Sequence, residues 1–397
     1  MSNQMVILDA LPDAAEFYSR YWNKRPFVAR AAIPTDIMAG LITGDELAGL
    51  SIEDGPQSRM IKTAGKHQDW SCNFGPFSEE DFTQTGDKDW SLLVQNIDQF
   101  HPETASLLGY FNFAPRWMMD DIMVSYSAPG GSVGPHVDSY HVFLVQGQGK
   151  RSWKVGHAPL EHETYIEGLE LKVLKEDIDG DEVEVICGDV LYLPPRFAHE
   201  GTTLDDALTF SVGFLGPKLS ELYISYGQYL SELEENDHRY VGQDLDASSA
   251  GFTISPAAVD TLNTSLSRQL DTPNFTQWLV EFFTEATHED FGTYALRDDS
   301  LTLQDFEDAL KGGAAIFKPP YVKFALSYIT SDLTDNSICL GVENHSYILN
   351  NTMKPLVHNL MNEATLNTTI SPELFNLPAN LDFLLELYNH QALEFIE

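Results

Sequence analysis

Between Asp121 and Phe214 the chain offers six short apolar or alternating runs: Asp121 to Ser127, Tyr140 to Gln146, Arg151 to Val155, Glu182 to Ile186, Val190 to Leu193 and Leu208 to Phe214. Turn chemistry separates them, in Pro129-Gly130-Gly131, Gly147-Gln148-Gly149, Asp179-Gly180 and Cys187-Gly188-Asp189. None is long enough for a stable helix, and glycine and proline punctuation at this density forces the chain to reverse repeatedly. Such a rhythm predicts an antiparallel barrel or jelly roll rather than a parallel α/β sheet. Upstream, Ala14 to Tyr21 reads as a helix, Arg25 to Arg30 as a strand led in by Pro26, and Trp90 to Gln95 as a buried strand.

Past Gly216 the periodicity changes. Leu219, Leu222, Tyr223, Tyr226, Leu230 and Leu233 recur at helical spacing, which predicts an amphipathic helix over Lys218 to Asp237. Further helices are expected over Pro256 to Ser267 and Asn274 to Thr284. From about Thr302 onward, helices at Leu303 to Lys311 and Leu381 to Phe395 mix with apolar pieces at Tyr321 to Tyr328, Ser337 to Val342 and His345 to Leu349, a small α+β unit such as a winged helix. At 397 residues the chain is too long for a single core. The expected domains are a mainly β domain over 1–216, a helical region over 217–300 and an α+β domain over 301–397.

Charge narrows the partners. The formal charge is −37 and it is spread evenly: 15 basic against 33 acidic residues up to Gly216, and 8 against 27 beyond it, leaving −18 and −19. Neither half resembles a nucleic-acid module, because phosphate would be repelled over most of either surface, so duplex DNA binding is not expected and a basic protein partner is. Three scattered cysteines, Cys72, Cys187 and Cys339, suit neither a disulfide framework nor a thiolate zinc site. With no apolar run of membrane-spanning length and no basic flank at Met1-Ser2-Asn3-Gln4, a cytoplasmic protein is expected.

Two segments carry the chemistry. Gly134-Pro135-His136-Val137-Asp138 holds a His-x-Asp pair at the mouth of a barrel-type strand, where alternation puts both side chains on one face. Sixty-one positions beyond Asp138, a turn, a strand and a proline stop (Gly188 to Pro195) lead to His199. Two imidazoles and one carboxylate from one barrel form the facial triad of non-haem Fe(II) oxygenases, which leaves coordination positions for a cosubstrate and O2. An isolated His-x-Asp is common by chance; the later histidine in the right place gives the pair its weight. His141 is the rival ligand, but three steps from Asp138 it alternates to the other face. His67, His101, His157 and His162 read as surface or turn residues.

An oxygenase of this type needs a cation for the far carboxylate of 2-oxoglutarate. Lys150-Arg151 supplies one, and Arg151 shares its face with Trp153 and Val155, so Arg151 is the inward residue with a fork suited to a carboxylate. Ser125 or Ser127 could add a hydroxyl. A solvated basic turn is the plain alternative.

The stretch from Ser125 to Trp153 strongly resembles the JmjC-type ribosomal oxygenases, nearest their bacterial branch. The likeness extends to Tyr21-Trp22-Asn23-Lys24-Arg25-Pro26, Trp90-Ser91-Leu92-Leu93-Val94-Gln95 and Gly188 to Pro195. It implies a double-stranded β-helix (a cupin-like jelly roll), a helical dimerisation region and a C-terminal winged helix. It also implies Fe(II)- and 2-oxoglutarate-dependent hydroxylation of an arginine, at its β-carbon, in large-subunit ribosomal protein L sixteen. Carried over by position, His136, Asp138 and His199 hold the metal, Arg151 with Ser125 binds 2-oxoglutarate, and Asp120 with Ser211 receives the target side chain. Asp120 alternates away from Ser125 unless the strand bulges between them. Lys150-Arg151-Ser152 is poorer in arginine than the family pattern. Two other readings stay open: the same chemistry on a histidyl, asparaginyl or methyl-lysine residue, and a non-catalytic cupin-like metal protein whose winged helix binds DNA, which the acidity of the second half opposes.

Overall fold

The computed structural model describes residues 5–63, 70–169, 171–233, 239–249, 252–285, 295–329, 337–363, 365–369 and 371–396. His67 and the end of the helix expected to reach Asp237 lie outside these residues. The chain divides into two compact units, Met1–Gly216 and Pro217–Glu397.

Among the described residues twelve strands build the first unit: β1 (Val6–Leu8), β2 (Phe27–Ala29), β3 (Ser58–Lys62), β4 (Ser71–Phe74), β5 (Trp90–Val94), β6 (Met119–Ser127), β7 (His141–Gln148), β8 (Lys150–Pro159), β9 (Gly180–Ile186), β10 (Val190–Leu193), β11 (Phe197–Thr203) and β12 (Ala207–Phe214). Nine form one sheet in the order β1-β2-β10-β7-β12-β6-β5-β3-β4; β11-β8-β9 form a second. Every pairing is antiparallel except β1 with β2.

The central strands β7 and β12 are buried on both faces, and alternation sorts their side chains into two environments. Phe143, Val145, Phe210, Val212 and Phe214 enter one large core with Ile122 and Val124 of β6. Val142 and Leu144 turn the other way and join Trp153, Val155 and Val185 of the smaller sheet. That second face also carries polar residues of β6 and β12, Ser125, Thr209 and Ser211, and they line a cavity. Helix α1 (Ala14–Arg20) is capped by the Asp13 carboxylate, which accepts from the Glu16 N–H. It closes the outer face by driving Phe17 against Tyr192 and Phe143, with ring centroids 5.1 and 5.7 Å apart.

Two corrections bear on the site. His199 does not sit beyond a strand end: Arg196, in the left-handed region at φ 67°, turns the chain after Pro194-Pro195 and β11 resumes at Phe197. His136 is not on a strand at all. A single bridge pairs it with His199, His136 N–H donating to His199 O at 3.0 Å and His199 N–H to His136 O at 2.9 Å.

In the second unit, α2 (Leu219–Glu232), α3 (Pro256–Leu270) and α4 (Pro273–Thr284) precede α5 (Leu303–Lys311), β13 (Ala315–Phe317), β14 (Phe324–Ile329), β15 (Ser337–Val342), β16 (His345–Leu349), α6 (Lys354–Asn362), β17 (Thr365–Leu366), α7 (Pro378–Asn389) and β18 (Glu394–Ile396). Strands β14, β15 and β16 form one sheet, and β17, β13 and β18 another. The helix expected to run to Phe395 ends at Asn389, because Gln391 takes a left-handed turn at φ 65° and the chain re-enters as β18 beside β13. Among the described residues no helix is long and apolar enough to cross a membrane.

His141 is neither a ligand nor exposed. It stacks on Trp22 at 3.5 Å with its Nδ1 2.8 Å from the Tyr192 hydroxyl, and burial pulls its pKa down to about 4. The folded form therefore holds the neutral ring while the unfolded chain protonates near pH 6.5. The part of the stability that rests on His141 should be complete above that value and fall by on the order of 3 kcal/mol as pH drops from about 6.5 to 4. Urea midpoints across this range test the expectation; His141→Gln should be less stable at pH 7 and lose less on acidification.

Candidate active site

His136, Asp138 and His199 each offer one ligand atom, all within 4.8 Å of one another, and they form the only such group of metal-ligating side chains among the described residues. The backbone fixes the tautomers. His136 Nδ1 lies 2.9 Å from Gly134 O, and His199 Nδ1 lies 3.0 Å from Phe197 O. Both rings therefore spend Nδ1–H on a carbonyl two residues back and present Nε2 with its lone pair, the arrangement that orients a metal-binding imidazole. The ring centroids are 4.2 Å apart, and His199 Nε2 lies 3.5 Å from an Asp138 oxygen. Burial, and then the neighbouring His136, hold His199 neutral, with its pKa down to about 4.

The His-x-Asp loop is held from three sides. Besides the bridge to His199, Leu174 N–H donates to Pro135 O and Arg196 N–H to Asp138 O, both at 2.7 Å. Gly134 sits at φ 80°, where a Cβ would meet Val173 and Trp70 at 3.0 and 3.1 Å.

Arg151 faces the same cavity, about 380 Å³ in volume. Strand parity sorted the basic pair correctly: Lys150 is exposed and Arg151 is 3 % exposed. One guanidinium nitrogen donates to Thr209 Oγ1 at 3.2 Å and stands 3.5 Å from Ser125 Oγ. Its Nε–H is buried with no acceptor, and burial lowers its pKa to about 10. The Trp153 ring lies 4.9 Å from the guanidinium carbon. No described carboxylate pairs with it, and a buried cation in that setting favours an anionic ligand. Gly201 of β11 makes room here, since a Cβ would press the Trp153 ring at 2.7 Å and Arg151 Nε at 2.8 Å.

Ser127 is engaged elsewhere, bonded to Ser91 at 2.7 Å, which leaves Ser125 as the hydroxyl beside Arg151. Ser211 lines the cavity; Asp120 does not. Between the pairs Ile122–Val212 and Met119–Phe214 the register slips by one, so Asp120 and Asp121 together stand opposite Gly213. Strand β6 thus bulges where strict alternation would have turned Asp120 away. Both carboxylates, after burial and Asp138, drive up the pKa of the cavity-lining Tyr140 phenol, which stays protonated as a donor.

Two cavity residues escaped sequence reasoning. Thr209, Ser125, Leu93 and Arg59 form one row across β12, β6, β5 and β3. All four line the cavity, and the Arg59 Nε–H is buried without an acceptor. Inward parity was available for Thr209 once β12 was read, but β3 was not recognised, so nothing pointed to Arg59.

A JmjC domain model matches residues 106–222, which contain the three ligand-type residues and Arg151. The ribosomal protein uL16 3-hydroxylase of Escherichia coli is 37 % identical over 308 residues, covering 76 % of this chain and 79 % of that one. The chain belongs to the JmjC ribosomal oxygenase family. A probable ribosomal oxygenase of Haemophilus influenzae is 41 % identical over 52 % of this chain and 50 % of its own. The E. coli ribosomal oxygenase YcfD, solved with cobalt and 2-oxoglutarate, superposes with a TM-score of 0.78 at 29 % identity, covering 96 % of this chain and 98 % of that one. The family has a JmjC, cupin-like, sheet-rich domain, which is what the first unit displays.

Packing at Gly201 generates a test that needs no substrate. Gly201→Ala should cost about 1–3 kcal/mol through overpacking, because the ring and guanidinium it strikes are themselves hemmed in. Thermal unfolding of the purified variant measures it; an unchanged midpoint would mean that Arg151 has space to move.

Proposed function

We propose that this chain is an Fe(II)- and 2-oxoglutarate-dependent protein hydroxylase acting on an arginine side chain, at the β-carbon, of the uL16 (L sixteen) ribosomal protein. The observation that carries the proposal is a buried guanidinium without a counter-ion in the same cavity as two Nε2-presenting histidines and a carboxylate. The donor set fits ferrous iron, since one anionic oxygen and two neutral nitrogens keep the charge low and leave positions open. Bound Fe(II) with 2-oxoglutarate would supply the activation of O2 that hydroxylates an unactivated carbon, with decarboxylation to succinate.

In this reading the residues divide the work by position. His136, Asp138 and His199 hold the metal. Arg151 takes the far carboxylate of 2-oxoglutarate; its orphaned Nε–H and the Ser125 hydroxyl fit that role. The aliphatic and aromatic wall of Val142, Leu144 and Trp153 excludes water from the reacting carbon. Asp120 and Ser211 receive the target side chain, and the bulge that turns the Asp120–Asp121 pair toward Tyr140 supports an acidic mouth suited to a guanidinium. A formal charge of −37 suits a strongly basic ribosomal protein and disfavours duplex DNA. A helical dimerisation region over 217–300, a winged helix over 301–397 and a cytoplasmic site of action complete the proposal.

Incubation with iron, ascorbate, 2-oxoglutarate and recombinant ribosomal proteins should add one oxygen to a single protein by intact mass, without formaldehyde; formaldehyde release would indicate a methyl-lysine target. Arg151→Ala should raise the KM for 2-oxoglutarate on the order of a hundredfold, and Lys150→Ala should leave it unchanged. His136→Ala and Asp138→Ala should each abolish both substrate oxidation and uncoupled 2-oxoglutarate turnover, and weaken Mn(II) binding measured by calorimetry. Light scattering should report a dimer for the full chain.

A further inference from the structure

The second unit contains a cavity of about 640 Å³, larger than the one holding the triad, for which the reaction just described has no use. Helices α2 and α4, strand β16 and helix α7 enclose it. Its inner wall is made by Tyr229, Trp278, Phe282 and Tyr347 around one carboxylate, Glu281. The outer rim carries three exposed carboxylates, Glu232, Glu285 and Glu386. Among the described residues no lysine or arginine lines it, although His345 and His390 do; Lys323 donates to the main-chain carbonyl of Glu285 at 3.3 Å.

Glu281 differs from a solvated surface acid. It accepts from Ser346 Oγ at 2.5 Å, and burial raises its pKa. Tyr229 lines the same cavity, and burial and then Glu281 push its pKa up to about 12. Trp278 and Phe282 have centroids 5.5 Å apart, and the Trp278 indole is fixed by its Nε1–H donating to Ser225 Oγ at 3.1 Å. A partly desolvated carboxylate among ordered aromatic rings attracts an organic cation, because ring faces and carboxylate act with the same sign and water does not compete fully for either.

We propose that this cavity binds a lysine- or arginine-bearing segment of a basic polypeptide, giving the enzyme a second hold on its protein substrate apart from the residue it oxidises. The chemistry of the cavity stands by itself; the identification of the bound segment with the substrate rests on the ribosomal-protein reading above. Aromatic walls and rim carboxylates at three positions favour a segment with several cations over a single small ion.

The test uses the full chain and a fluorescein-labelled octapeptide of alternating arginine and lysine, followed by anisotropy in about 150 mM salt to suppress general attraction. Glu281→Gln, which keeps the Ser346 hydrogen bond, and Glu386→Gln, on the exposed rim where folding is not at risk, should each weaken binding, the former about tenfold or more. Glu373→Gln removes the same charge outside the cavity and should change affinity less than twofold. Equal losses in all three, no binding by the wild type, or tight spermidine binding without peptide binding would each overturn the proposal. In turnover, Glu281→Gln should raise the KM for an intact ribosomal protein, leave its kcat unchanged and leave a short target peptide unaffected. Failure to oxidise any ribosomal protein would remove the substrate reading alone, since peptide binding is read separately.

Discussion

A guanidinium sealed from water, with no carboxylate beside it among the described residues, organises the first unit. Ionised groups are rarely buried unpaired, because desolvation costs several kcal/mol even after local relaxation. Among the described residues Arg151 has a hydroxyl at 3.2 Å, a second at 3.5 Å and an indole face for company. The surrounding sheet tolerates this because β8 is pinned on both sides, by β11 and β9, and because Thr209 hands its own proton on to Gln146 Oε1 at 3.3 Å. Gln146 in turn donates to the carbonyls of Gln148 and Leu208. A polar chain thus runs from the cavity into the β7–β12 ladder and orients the guanidinium.

The same two-faced strands explain how a dry core and a reactive cavity coexist. On β6, β7 and β12 one parity builds a continuous hydrocarbon and aromatic core, while the other faces the smaller sheet and places hydroxyls among aliphatic side chains. The metal-type ligands come from outside this grid, from a loop and from β11, and join through one two-way backbone bridge. Because the bridge fixes both main chains and each imidazole is tied to a carbonyl two residues back, the site's geometry is a backbone property. Mutations in the apolar core should therefore cost stability before they disturb the ligands.

How much of this could be read from sequence depends on whether the signal was local. Arg151 was separable from Lys150 because alternation along one strand is local. His136, Asp138 and His199 were recognisable from residue types and their order, although the reason they meet is the bridge, a pairing that no local pattern reveals. Ser125 and Thr209 meet Arg151 through strand register, and Arg59 joins them only because β3 lies two strands from β6. Register across non-adjacent segments is decided by packing and turn geometry, which leave faint marks in sequence. The bulge at Asp120–Asp121 is the sharper case. Strict alternation turned Asp120 away from the cavity face, and one extra residue opposite Gly213 brings the acidic pair round to Tyr140.

Acidity acts differently in the two units although their net charges are nearly equal. In the first, the described cavity is lined by two buried or half-buried arginines as well as by Asp138, so its interior suits an anionic cosubstrate next to a metal. In the second, the cavity lined by α2, α4, β16 and α7 holds four carboxylates and a set of aromatic rings beside two histidines, with no described lysine or arginine, so the balance of its lining is acidic. Global charge steers a basic protein toward the whole molecule within a Debye length or so, but it does not choose a residue. Choice comes from the desolvated groups, where one carboxylate or one guanidinium is worth more than many on the surface. An enzyme that must modify one side chain of a basic protein among many similar proteins therefore gains its discrimination from such groups and not from its overall charge.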